Sequence, residues 1–150
     1  MKNWSFKKWN TLLGWVVFVI AFFTYLSTME RNFSFWDTGE YISSAVKLEV
    51  THAPGAALFQ LIGAVAAVFA FGNGENYSIV INSMSALFSA FTILFLFWTI
   101  THLVRRLLHK DFNDITRHQE ISILFAGVIG ALCFTFSDTF WFSAVEGEVY

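Results

Sequence analysis

The chain has 150 residues, of which 56% are hydrophobic, 19% aromatic and only 13% charged, with a net charge of -2. A soluble domain carries about a quarter charged residues, so this composition excludes an ordinary water-soluble globule and points to lipid as the solvent. The near-neutral balance excludes a nucleic-acid partner, which needs a basic face, and the single Cys133, inside an apolar run, excludes an internal disulfide and reads as a buried inert thiol.

In chain order, the first apolar stretch covers residues 11–28, behind Lys2, Lys7 and Lys8 and framed by Trp4 and Trp9. It is free of charge and just long enough to cross a hydrocarbon core of about 30 Å. The sequence after it, Ser27-Thr28-Met29-Glu30-Arg31, offers no small-x-small cleavage site, so an uncleaved anchor is expected rather than a signal peptide. Residues 36–50 predict a short helix that starts near Asp37. The Ala- and Gly-rich stretch 54–71 opens at Pro54 and stops at Gly72-Asn73-Gly74, barely long enough to span. Residues 79–104 predict a second span, with Ser85/Ser89 and Ala86/Ala90 four apart for close helix contact. Residues 119–137 predict a third, its start capped by Thr116 with Gln119 or Ser122. The chain stops at Tyr150 inside an aromatic-acidic segment, which reads as the N-terminal part of something larger.

Charge sorting chooses between topologies. If 54–71 crossed, six Lys/Arg would share the outer side and only the three N-terminal lysines would lie inside, against the positive-inside rule. If it lies along the outer interface or re-enters, Lys2, Lys7, Lys8, Arg105, Arg106, Lys110 and Arg117 are cytoplasmic and only Arg31 and Lys47 are external. The expectation is therefore an all-α integral membrane protein with three spans, a cytoplasmic N-terminus and two outer juxtamembrane helices.

This topology brings two acidic segments to one side, Phe35-Trp36-Asp37-Thr38-Gly39-Glu40-Tyr41 and Ser143-Ala144-Val145-Glu146-Gly147-Glu148, with Thr51-His52-Ala53-Pro54-Gly55 between them. None of these groups lies within a span, which disfavours a transporter. Asp37 and Glu40 are three apart and face one side of a helix. They are either a capping pair for its first turn or carboxylates poised at the water–lipid boundary, where one would act as a base. Trp36 and Tyr41 fit an interfacial belt or a sugar platform. Ser143 and Glu146 offer a second capping pair, His52 a loop histidine, and Arg31 and Lys47 interfacial anchors. No Walker loop, dinucleotide fingerprint, His-x-x-x-His spacing or Gly-x-Ser-x-Gly elbow is found.

Phe35-Trp36-Asp37-Thr38-Gly39-Glu40-Tyr41-Ile42, Lys47-Leu48, His52-Ala53-Pro54-Gly55-Ala56-Ala57-Leu58-Phe59 and Asn82-Ser83-Met84-Ser85-Ala86-Leu87-Phe88 resemble domain-of-unknown-function family 2723, and the segment from Ser137 to Tyr150 resembles that family's second signature. These are bacterial multi-pass proteins related to animal protein O-mannosyltransferases. The resemblance implies a GT-C membrane glycosyltransferase of the bacterial inner membrane with its active face in the periplasm. It would move a sugar, mannose being the expected one, from a polyprenyl-phosphate carrier to a Ser/Thr hydroxyl of an exported protein. By resemblance Asp37 is the first-loop acid and Glu40 its companion; His52, Glu146, Glu148, Trp36 and Arg31 are substrate-binding candidates. Ala53 stands where the family usually has proline. The lipid-linked donor is a substrate, so no cofactor is expected; no residue is singled out as a metal ligand, and a divalent-metal requirement stays open. The alternative is a non-catalytic membrane scaffold that binds a partner through the same outer loops.

Overall fold

The computed structural model describes residues 6–32, 37–53, 55–108 and 116–147. The regular elements among them are helices: α1 Phe6–Thr28, α2 Thr38–Lys47, α3 Ala57–Ala67, α4 Asn76–Leu107, α5 Arg117–Thr135 and α6 Asp138–Ala144, with a 3-10 turn Val68–Ala70 extending α3. The protein is thus all-helical. α1, α4 and α5 have 23, 32 and 19 residues and are long and apolar enough to cross a membrane. α3 has 11 residues. At a rise of 1.5 Å per residue it covers roughly 16 Å, about half the hydrocarbon core.

The chain divides into two compact units, and the division falls within α1 and α4. The first unit combines Met1–Phe23 with Ala90–Ser137. Here α4 is the central helix, and glycines let its neighbours approach. A Cβ on Gly14 of α1 would lie 2.6 Å from Trp98 Nε1, and one on Gly127 of α5 would lie 2.6 Å from Thr101 Cγ2 and 2.9 Å from Phe97. Between spans the hydrophobic effect does not hold helices together, so close van der Waals packing of this kind must. Trp15 meets Phe91 and Trp98 edge-on with ring centroids 6.5 Å apart. The outward surface of these helices is apolar: Phe23 is 61% exposed, Phe95 58% and Phe125 62%. Lipid, not water, suits such a surface. Cys133 follows the same rule and is exposed on α5 rather than buried, because the helix presents that side outward. The start of α5 is capped as its sequence suggests: the Thr116 N–H donates to Gln119 Oε1 at 3.2 Å.

The second unit combines Thr24–Ser89 with Asp138–Tyr150. α2 and α3 pack against each other and against the first half of α4 around Ile42, Ala45, Ile81 and Met84, with Phe59, Ile62 and Tyr77 alongside. α2 ends at Lys47, and the left-handed φ of 54° at Leu48 turns the chain, while the Glu49 N–H donates to Ser44 O at 2.8 Å. The buried Asn82 of α4 ties the segments that follow α1 and α6: its Nδ2 donates to Glu30 O at 2.8 Å, and the Glu30 N–H donates to Val145 O at 3.2 Å. Trp141 of α6 donates from Nε1 to Thr28 Oγ1 at 3.0 Å. Ser143 does not cap a helix start; it lies inside α6, where its hydroxyl donates to Thr139 O at 3.2 Å.

Crowding at Gly127 makes a direct prediction. Gly127→Ala should destabilise the full-length protein by about 1–3 kcal/mol, the usual cost of overpacking. Gly74→Ala, where nothing lies within 4 Å of the added Cβ, should not. Thermal unfolding of the two variants in detergent checks this; equal midpoints would contradict the close α4–α5 contact.

Candidate functional site

The site grows from the first turn of α2. Asp37 occupies the N-cap position, but with φ -86° and ψ -2° its side chain makes no capping bond to the helix. The expected Asp37/Glu40 capping pair therefore does not form. One turn on, Glu40 faces the loop that follows α2. Its Oε1 accepts the His52 backbone N–H at 2.9 Å, and its Oε2 lies 3.1 Å from His52 Nδ1. Asp37 Oδ2 lies 3.8 Å from the other ring nitrogen, Nε2. His52 is therefore no detached loop residue but the third corner of a cluster. Tyr41 backs it, with ring centroids 6.1 Å apart, and Tyr41 in turn packs edge-on against Phe59 at 5.9 Å. Gly55, with φ 77°, closes the loop by donating its N–H to His52 O at 2.9 Å.

The cluster is open: the Asp37, Glu40 and His52 side chains are 37%, 43% and 47% exposed. The backbone amide of His52 first, and its ring second, hold the Glu40 carboxyl below its ordinary value of 4.5. A carboxyl whose pKa falls on folding adds stability above its unfolded value, and this is lost as pH drops through the lowered one.

One donor atom from each of Asp37, Glu40 and His52 falls within 4.8 Å of the others. Two carboxylates and an imidazole suit Mn²⁺, Mg²⁺ or Zn²⁺. Sequence spacing conceals this set, because Glu40 and His52 are 12 residues apart on different elements. The cluster sets an imidazole between two carboxylates.

Glu146 reaches the same helix from the far end of the chain. It is 6% exposed, and its Oε2 accepts from Thr38 Oγ1 at 3.4 Å, across 108 positions. Thr38, fully buried beside Asp37, and Asn82 make tertiary hydrogen bonds around the cluster that residue-type reasoning does not anticipate; both are uncharged. Arg31 is exposed, and its backbone N–H donates to Glu30 Oε1 at 3.0 Å; its guanidinium is not drawn into the cluster among the described residues. Trp36 and Glu148 lie outside the described residues.

Residues 37–150 match the family model described as the protein O-mannosyl-transferase TMEM260 N-terminal domain. The chain belongs to this family. Family membership makes it glycosyltransferase-like by name, and the match begins at Asp37 itself. A similar relative is the protein O-mannosyl-transferase tmem260 of Dictyostelium discoideum, 24% identical over 135 residues, which are 90% of this chain and 14% of that protein. The chain thus spans about a seventh of the curated relative it matches. No solved structure matches it.

The Glu40–His52 tether should be intact at neutral pH and open as the medium is acidified below 4.5, through the lowered Glu40 value. Hydrogen exchange of the loop around His52, corrected for intrinsic rates, measures this on the full-length protein. Glu40→Ala should show the open loop at every pH. A variant as protected as the wild type would remove the tether from the structure's working parts.

Proposed function

We propose that this chain is the donor-binding, N-terminal part of a GT-C membrane glycosyltransferase that moves mannose from a polyprenyl-phosphate carrier to a Ser or Thr hydroxyl of an exported protein. The observation that carries the reading is the convergence of Asp37, Glu40 and His52 at the head of α2, in a chain of the O-mannosyl-transferase family. The proposed topology puts this cluster on the outer side of the membrane. Its support is the short α3 and the sorting that leaves seven of nine Lys/Arg cytoplasmic.

In the proposed reaction the acceptor oxygen attacks the anomeric carbon, and the bond from that carbon to the phosphate oxygen breaks with inversion. The electron pair leaves on the phosphate, and the hydroxyl proton passes to Asp37 as general base. Glu40 is assigned a positioning role, since both its oxygens already engage His52. His52, held between the carboxylates, is assigned to support the leaving phosphate by hydrogen bonding. Glu146 acts through Thr38 to fix the start of α2. Trp36 and Glu148 are assigned to the sugar, and Arg31 is a secondary partner for phosphate.

Purified full-length protein supplied with polyprenyl-phosphate-mannose should glycosylate a Ser/Thr acceptor peptide. Asp37→Asn should lower turnover by about a hundredfold or more, the range expected for loss of a general base. Glu146→Gln, which keeps an acceptor for Thr38, should cost far less. Undiminished turnover in Asp37→Asn would take that carboxylate out of the reaction, and a wild type inert toward every lipid-linked sugar would leave a scaffold.

A further inference from the structure

Two neighbouring helices of the second unit divide their exposed surface by polarity. On α2 the exposed positions are Glu40, Ser43 and Lys47, all polar and spaced along one face. On α3 and its 3-10 turn they are Ala57, Leu58, Leu61, Val65, Val68 and Phe69, all apolar and again along one face. The last five are between 60% and 72% exposed. The two faces point away from each other. Ala45 stands across α2 from its polar face, Gly63 stands across α3 from Leu61 and Val65, and the helices meet at these two residues: a Cβ on Gly63 would lie 3.0 Å from Ala45 Cβ.

Water does not suit both faces. A helix at an aqueous surface turns its polar residues outward, and α3 does the reverse. Its one polar side chain, Gln60, is buried against α2, where Nε2 donates to Ser44 Oγ at 3.3 Å. A continuous apolar patch of this kind marks contact with a membrane or a protein, and the end of the helix favours the membrane. Phe71 is 90% exposed at a left-handed φ of 51°, a conformation that glycine adopts freely and a bulky side chain resists. Directly after it Gly72, Asn73, Gly74 and Glu75 are exposed, and Asn73 Oδ1 accepts the Glu75 N–H at 3.1 Å. Between Phe71 and Asn73 the exposed chain therefore turns from apolar to polar, which is the profile of a boundary between hydrocarbon and water. The bilayer is also at hand, because α4, against which Phe59 and Ile62 of α3 pack, is one of the helices able to span.

We infer that α2 and α3 form a two-helix layer seated in one leaflet, with the exposed face of α3 and Phe71 immersed in lipid hydrocarbon and the Glu40–Lys47 face of α2 in water. A single interfacial helix carries its polar and apolar faces on one cylinder; here each helix supplies one of them. The layer fixes the height of Glu40, and with it the Asp37 and His52 side chains, above the acyl chains. The inference does not rest on the glycosyl-transfer reading, since a scaffold would be seated in the same way.

Spin labels on the full-length protein in phosphatidylcholine nanodiscs test this, in a background where every native cysteine, Cys133 included, is replaced by serine. Collision with dissolved oxygen reports hydrocarbon, and collision with a water-soluble nickel chelate reports solvent. Labels at Leu61→Cys and Val65→Cys should give an oxygen-to-chelate ratio several-fold above that at Ser43→Cys. The ratio should match that at Phe125→Cys, on the outward surface of α5. Labels on α3 as open to the chelate as the one at Ser43 would put the face in water and overturn the inference. Labels there shielded from both probes would mean that protein covers the face, and would overturn lipid as its occupant.

Discussion

Glu40 holding both the backbone and the ring of His52 is the interaction on which the candidate site depends. Two bonds from one carboxylate, at 2.9 and 3.1 Å, convert the loop after α2 into a fixed extension of that helix. Bonds to a charged acceptor are roughly twice as strong as neutral ones, although this one is open to water and screened accordingly. Its value is geometric. Without it His52 belongs to a connection between two short helices; with it, the imidazole faces Asp37 at 3.8 Å.

Behind that exposed cluster lies a buried polar framework. Thr38, Asn82 and Glu146 are each at least nine-tenths buried, and each joins segments far apart in sequence. Burying such groups is costly unless they are hydrogen-bonded. Thr38 meets Glu146, and Asn82 holds the Glu30 carbonyl. The residue beside Asp37 and the chain leaving α1 are therefore anchored to the same C-terminal segment, through Glu146 and Val145. An apolar core alone would allow α2 to slide, because hydrophobic contact has no direction. Hydrogen bonds with one partner apiece do not.

The long helices were legible because lipid imposes a simple rule: an uncharged apolar run must satisfy its backbone internally, and a helix does so. The ends were less so. α4 starts at Asn76 rather than near residue 79 and runs to Leu107, because a helix continues past the apolar stretch while its backbone bonds persist. In the site, residue type identified Asp37, Glu40 and His52, and spacing suggested a capping pair. The structure resolves that choice differently, since Glu40 turns to a loop whose position no periodicity encodes. Thr38 and Asn82 stand in the family-like blocks but were given no role, because an uncharged polar residue acquires meaning only from its neighbours. The glycines at 14 and 127 were given none for the same reason: their role is the space left for Trp98 and Thr101.

Gly147 draws these threads to one point. A Cβ there would lie 3.0 Å from Asn82 Oδ1 and 3.2 Å from Ile81 Cγ2, so the chain crosses α4 with nothing to spare. The acid–glycine–acid pattern around it is thus more than two carboxylates and a spacer. If the segment slipped by a single residue, a glutamate would have to occupy a gap already tight for a bare Cβ. The glycine acts as a reading-frame mark for the C-terminal segment, and the alignment of Glu146 with Thr38 is inherited from it.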